Sequence, residues 1–196
     1  MSMTGARHFS DAFMAIILTV MVLELKVPHE ATTAALVPLI PVFLSYVLSF
    51  VYLGIYWSNH HYLLQVGGRV TGLVLWANLH LLFWLSLFPF AAGWMGQNHF
   101  ASLPTMVYGA VLFAAAVAYL LLQWAIIVAQ GEGSTLKAAV GADWKGKVSP
   151  ALYLTGVAAT LWRPWLGQLL FVAVAALWLV PDRRLERSVR ELSPAG

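Results

Sequence analysis

A chain of 196 residues with 61% hydrophobic and 10% charged residues, and a mean hydropathy of +0.78, belongs in a membrane, since a soluble domain carries about 25% charge. It has no cysteine, which excludes a disulfide framework, a thiolate metal site and a cysteine nucleophile. The net charge of +3 does not indicate a nucleic-acid partner, because the basic residues gather in loops and in the tail, where a bilayer protein needs them.

The first apolar segment covers about residues 7–27. Its head carries Arg7, Ser10 and Asp11, followed by an apolar run over 12–23 that only Thr19 interrupts, and then Glu24 and Lys26. That run is shorter than the roughly 20 residues a bilayer span needs. The helix therefore takes polar groups into the membrane edge, which suits a helix packed in a bundle or lining a pathway better than one facing lipid. Arg7 and Asp11 are four residues apart and are expected to pair on one helix face. The N-terminus does not read as a cleavable signal peptide, because an aspartate interrupts the stretch after Arg7.

A second segment covers about 36–58, with Pro38 and Pro41 in its first turns, where proline is tolerated. A third covers about 70–94 and a fourth about 103–129. The last, about 148–180, is interrupted by Arg163-Pro164 and reads either as two short helices with a tight turn or as one kinked helix. Charge separates these alternatives. With six spans and both termini inside, nine of the eleven basic residues are cytoplasmic: Arg7, Arg69, Lys137, Lys145, Lys147, Arg183, Arg184, Arg187 and Arg190. Only Lys26 and Arg163 fall outside, as the positive-inside rule prefers. The expected architecture is an all-α membrane protein of six spans forming a single domain over 1–196, with a basic cytoplasmic tail over about 181–196.

Candidate chemistry is sparse. His60 and His61 are adjacent, so on a helix they point about 100° apart and cannot readily share one metal. One is expected at the interface and the other bonded to a neighbouring helix. Asn78 and His80 read as buried polar groups serving as interhelical glue. Ser10 beside Asp11 lacks the glycines of a nucleophile elbow, and no metalloprotease, phosphate-loop or dinucleotide pattern occurs. No enzyme, metal site or cofactor is expected. Ile16, Val20 and Leu23 lie at i, i+4 and i+7 and form an apolar stripe with Thr19 beside it. In a monomer this is packing. In a symmetric oligomer such a stripe rings the axis and gates a pore by dewetting.

Several of these features occur together in one family. Arg7-x-Phe9-Ser10-Asp11, Ala15-Ile16-x-x-Thr19, Gly54-x-x-Trp57-x-Asn59-His60-His61, Asn78 with Phe88-Pro89-Phe90, and Pro181-Asp182-Arg183-Arg184-Leu185-Glu186-Arg187 together resemble the transmembrane protein 175 family, in order along nearly the whole chain. The resemblance implies a potassium-permeable channel, and a single copy of the six-helix unit implies a prokaryotic homotetramer in the cell membrane. It also implies that the first helix lines a central pore, with Ile16 at the constriction, Val20 and Leu23 extending it, and Thr19 together with Ile16 setting selectivity. Arg7, Phe9, Ser10 and Asp11 then form a structural network with Asn78 and His60 or His61. The implied partners are a second copy, potassium ions and lipid. The rivals are a small secondary transporter, which would show paired broken helices and midplane ionisable sites, and a non-conducting structural protein.

The charge split makes the topology testable. A C-terminal reporter that is active only outside the cytoplasm should be silent, and strong external activity overturns the six-span arrangement.

Overall fold

A computed structural model of the chain describes residues 3–68, 70–141 and 143–179. Arg69 and the basic tail lie outside the described residues. The described chain is helical throughout: α1 Met3–Leu23, α2 Thr33–Leu36, a 3-10 turn Val37–Leu39, α3 Ile40–Val66, α4 Gly72–Ser86, α5 Phe88–Gln97, α6 Ser102–Gln130, α7 Thr135–Val140, α8 Trp144–Trp162 and α9 Pro164–Leu179. Four helical segments are long and apolar enough to cross a membrane: Met3–Leu23, Thr33–Val66, Gly72–Gln97 and Ser102–Gln130.

The segment boundaries differ from the sequence expectation for local reasons. The first helix begins at Met3 and stops at Leu23, short of the expected 27, a position that Pro28 holds out of helical backbone. The second begins earlier and runs on to Val66, so His60 and His61 lie within the helix rather than beyond it. Pro38 and Pro41 tighten its entry into the 3-10 turn without breaking it. The third bends at Leu87, where Pro89 has no N–H to give to the carbonyl four residues back. Bonding resumes at once with Ala91 N–H to Leu87 O at 2.9 Å.

The final stretch is two helices. Asp143, in left-handed backbone geometry, caps α8 through its carboxylate and the Gly146 N–H. This cap starts α8 at Trp144 rather than 148 and gives it 19 residues. Arg163 is extended, and α9 folds back along α8.

The core is shared by α1, α3, α4, α5, α6, α8 and α9, with an aromatic layer between α3, α5, α6, α8 and α9. Tyr52 donates its hydroxyl to the Phe171 carbonyl at 2.5 Å, and Ser49 and Tyr108 hydroxyls meet at 2.9 Å. These bonds tie α3 to α9 and to α6. Phe88 packs edge-on against Tyr56 and Tyr108, and Phe171 packs edge-on against Tyr108. Phe171 is wholly buried because glycines face it from both sides. A Cβ on Gly109 would lie 2.4 Å from its Cζ, and one on Gly156 would lie 2.5 Å from its Cε1. Small residues at helix crossings permit this close approach. The ring is enclosed and cannot move away, so Gly156→Ala is expected to cost about 1–3 kcal/mol by overpacking. The readout is a lower thermal unfolding midpoint of purified protein; an unchanged midpoint would show that the aromatic layer has slack.

Candidate functional site

Helix α1 has two unlike faces. Ala6, Ser10, Met14, Ile17 and Met21 recur at three- and four-residue intervals and are buried against α3, α4 and α5. The opposite face carries Ile16, Thr19, Val20 and Leu23. Ile16 is 60% exposed, Val20 42% and Leu23 79%, and Thr19 is exposed between them. The expected stripe therefore lies on the exposed side of the helix, outside the buried core, with Val20 its most covered member. The Thr19 hydroxyl donates to the Ile16 carbonyl at 2.8 Å. Its proton is thus spent within α1, and its oxygen lone pairs remain available on the outward face.

The N-terminal half of α1 is held by two adjacent layers of polar contacts. In the first, the Asn78 amide of α4 donates to Ser10 Oγ at 2.9 Å and its carbonyl oxygen lies 2.6 Å from His60 Nε2 of α3. An amide oxygen only accepts, so the His60 proton sits on Nε2. Ser10 passes its own proton to the Ala6 carbonyl at 2.9 Å. The result is a directional run of bonds from His60 through Asn78 and Ser10 to the α1 backbone. Ser10 and His60 are wholly buried and Asn78 is 3% exposed.

The second layer lies one residue further along on both α1 and α3. Trp57 donates its indole N–H to Asp11 Oδ1 at 3.0 Å, and His61 Nδ1 lies 3.6 Å from Asp11 Oδ2. Trp57 and His61 are one helical turn apart on α3 with ring centroids 5.8 Å apart, so together they bracket the carboxylate. The adjacent pair Ser10-Asp11 thus meets the adjacent pair His60-His61, each residue in its own layer. Of the two histidines, His60 is the one bonded to a neighbouring helix and is wholly buried, and His61 is partly exposed beside Asp11.

Two sequence expectations fail here. Arg7 does not pair with Asp11 within the protomer; its Nε is buried with no hydrogen-bond partner. Asp11 faces α3, whose indole and imidazole arrive from across the helix contact. His80 is not buried glue between helices of the protomer. It lies on an exposed face of α4 and takes its hydrogen bond from Trp84, one turn along the same helix, at 2.9 Å. Phe9 stands outside the polar network, half-exposed and tilted against Phe13 with ring centroids 6.1 Å apart. The residue that sequence reasoning missed is Trp57. Its signal was the four-residue spacing to His61, which puts both on one helix face.

Together, the bundle, its polar anchor and the unpacked apolar face define a helical membrane protein whose first helix is fixed on one side and open on the other. The family profile described as endosomal/lysosomal potassium channel TMEM175 matches residues 6–89. The chain is 48% identical over 183 residues to a potassium channel of Chryseobacterium sp., covering 93% of this chain and 95% of that one. It is 30% identical over 124 residues to a potassium channel of Streptomyces collinus, covering 59% and 60% of the two chains. Its fold is similar to the crystal structure of a lysosomal potassium-selective channel TMEM175 homolog from Chamaesiphon minutus, with a TM-score of 0.80 and 24% identity over 93% of this chain and 97% of that one. The chain belongs to the TMEM175 family, a family of ion channels rather than enzymes.

The two layers differ in burial, and so in the expected effect of mutation. Asn78→Leu leaves the His60 N–H without an acceptor and Ser10 without a donor, at about 1–3 kcal/mol for each orphaned group. Asp11→Ala frees groups at a half-exposed edge and should cost less. Thermal unfolding of both variants in the same detergent checks the order; a larger loss for Asp11→Ala would place the anchoring energy in the outer layer.

Proposed function

We propose that the chain is one subunit of a homotetrameric potassium channel of a prokaryotic cell membrane, with α1 of each copy lining the central axis. The potassium function follows from membership of the family together with the curated relatives named as potassium channels. In this reading six helical segments cross the bilayer: α1, Thr33–Val66, Gly72–Gln97, α6, α8 and α9. Both termini are cytoplasmic, and the channel works without an enzymatic step or a cofactor.

The observation that carries the pore assignment is the outward face of α1. A helix packed by one face and exposing Ile16, Thr19, Val20 and Leu23 on the other requires cover from lipid or from further copies. The polar anchor argues against lipid. Trp57 and His61 hold Asp11 eight residues into α1, and Glu24 follows the end of the helix, so the apolar run between them is shorter than a bilayer. Cyclic assembly is the usual solution for identical subunits, and placing this face on the axis removes the mismatch.

Four isoleucines at one level leave little room for a hydrated cation, and an apolar constriction resists wetting, so the closed state needs no charged plug. Val20 and Leu23 prolong the constriction toward the outer end. Thr19 offers four hydroxyl oxygens beside it. With each proton committed to the Ile16 carbonyl, the oxygens are free to replace part of an ion's hydration shell. The anchor serves the pore by holding the inner half of α1 in one rotation, so that Ile16 and Thr19 present a defined ring.

Planar-bilayer recording separates these roles. Ile16→Asn is expected to raise conductance by keeping water in the constriction, with lower discrimination of potassium from sodium. Thr19→Ala should shift selectivity with a smaller effect on total current. Unchanged current in a tetrameric Ile16→Asn protein means that α1 does not line the pore.

A further inference from the structure

His80 has no part in the anchor or in the outward face of α1, and its setting is unusual. It lies eight residues beyond the start of α4 at Gly72, about 12 Å along the helix axis, which the six-span reading of Gly72–Gln97 puts inside the hydrocarbon region. Its ring is exposed on the protomer surface. The Trp84 indole donates to Nε2 at 2.9 Å. An indole nitrogen has no acceptor capacity, so Nε2 is the accepting nitrogen and a neutral ring carries its proton on Nδ1. Nothing within the described protomer accepts that N–H, since the Trp84 bond is the one hydrogen bond formed by this ring. Hydrocarbon tails cannot satisfy a donor.

The same face of the Gly72–Gln97 segment exposes Trp76, Phe83 and Phe90 at helical spacing around His80. Helix α4 meets α1 through Asn78 and Ser10, and the His80 stripe lies on the far side of α4 from that contact. In the six-span reading a donor within an apolar stripe of a bilayer segment calls for a protein neighbour, and in a homo-oligomer the neighbour is another copy.

We propose that the His80 face of α4 is a seam against a second copy of this chain, which supplies a hydroxyl or main-chain carbonyl oxygen to the His80 Nδ1–H. The proposal rests on the tetrameric reading and adds to it the surface through which adjacent subunits meet away from the axis. Trp84 is a positioning residue here: by occupying Nε2 it fixes the tautomer and turns the donor outward. The glue function expected of His80 from sequence then operates between copies.

Lipid contact and subunit contact predict opposite effects of His80→Leu. At a seam, losing the interhelical bond should weaken assembly, raising the concentration at which tetramer dissociates by about threefold per seam. Facing lipid, the same change removes an unsatisfied donor and leaves assembly as strong as before or stronger. Native mass spectrometry over a dilution series in detergent reads this directly. A second measurement uses the absence of cysteine from the chain. Nitroxide labels on Phe83→Cys and, as the lipid-facing reference, Val172→Cys on α9 are compared in liposomes for collision with dissolved oxygen. The seam predicts a shielded label at position 83. If the labelled Phe83→Cys protein does not assemble, the His80→Leu dilution series decides alone. A wild-type tetramer that His80→Leu leaves equally stable or strengthens overturns the seam and leaves the channel reading intact. A wild type that stays monomeric throughout the series overturns both.

Discussion

The arrangement of α1 depends on one buried amide. Asn78 reaches from α4 to both α1 and α3, giving its hydrogens to Ser10 and its oxygen to His60. A polar group enclosed in a bilayer must find partners in protein, because nothing around it can substitute. A single side chain with a donor and an acceptor on opposite sides therefore fixes three helices in register. The chain of bonds also has a direction, from the His60 proton to the Ala6 carbonyl, and reversing any one of them would leave a buried donor or acceptor unmatched.

Holding α1 on one side gives its other side meaning. The apolar residues of a membrane helix do not by themselves declare which surroundings they face, since lipid and protein interior are equally apolar. The anchor removes that ambiguity, because Ser10 must point at Asn78 and the 3.6-residue period then carries Ile16, Thr19, Val20 and Leu23 outward. The rest of the bundle acts as a rigid support. Phe171 closes the α6–α8–α9 layer between Gly109 and Gly156, and Tyr52 bonds α3 to the α9 backbone. Because α3 is the helix that presents Trp57, His60 and His61, rigidity in the outer layer passes directly to α1.

Much of this was legible in the sequence. Composition and hydropathy placed the chain in a membrane, and the apolar segments were located to within about four residues except at the end of the second, which runs eight residues further to Val66. The three- and four-residue spacings picked out the Ile16–Val20–Leu23 stripe of α1, and the structure added the buried face opposite it. The misplaced starts and ends include Leu23, Val66 and Trp144, and the last came from local chemistry that hydropathy does not register, the Asp143 cap that admits two lysines into the first turn of α8.

The sequence by itself determined that α1 carries a polar head, an apolar stripe and a threonine beside it, because helical periodicity is a property of the chain alone. It could not determine the partners of the polar groups. Spacing along one helix selects Arg7 for Asp11, and an exposed pair of that kind contributes only about 0.2–0.5 kcal/mol. Tertiary packing instead brings the Trp57 indole and the His61 imidazole of α3 to the carboxylate. His80 shows the same limit from the other side. Its residue type reads as buried, yet the rotation of α4 is set by Asn78, and two residues of helix turn that ring about 200° away, onto the outer surface. A buried polar contact is chosen by which helices meet, and that is a property of the assembled bundle rather than of any one segment.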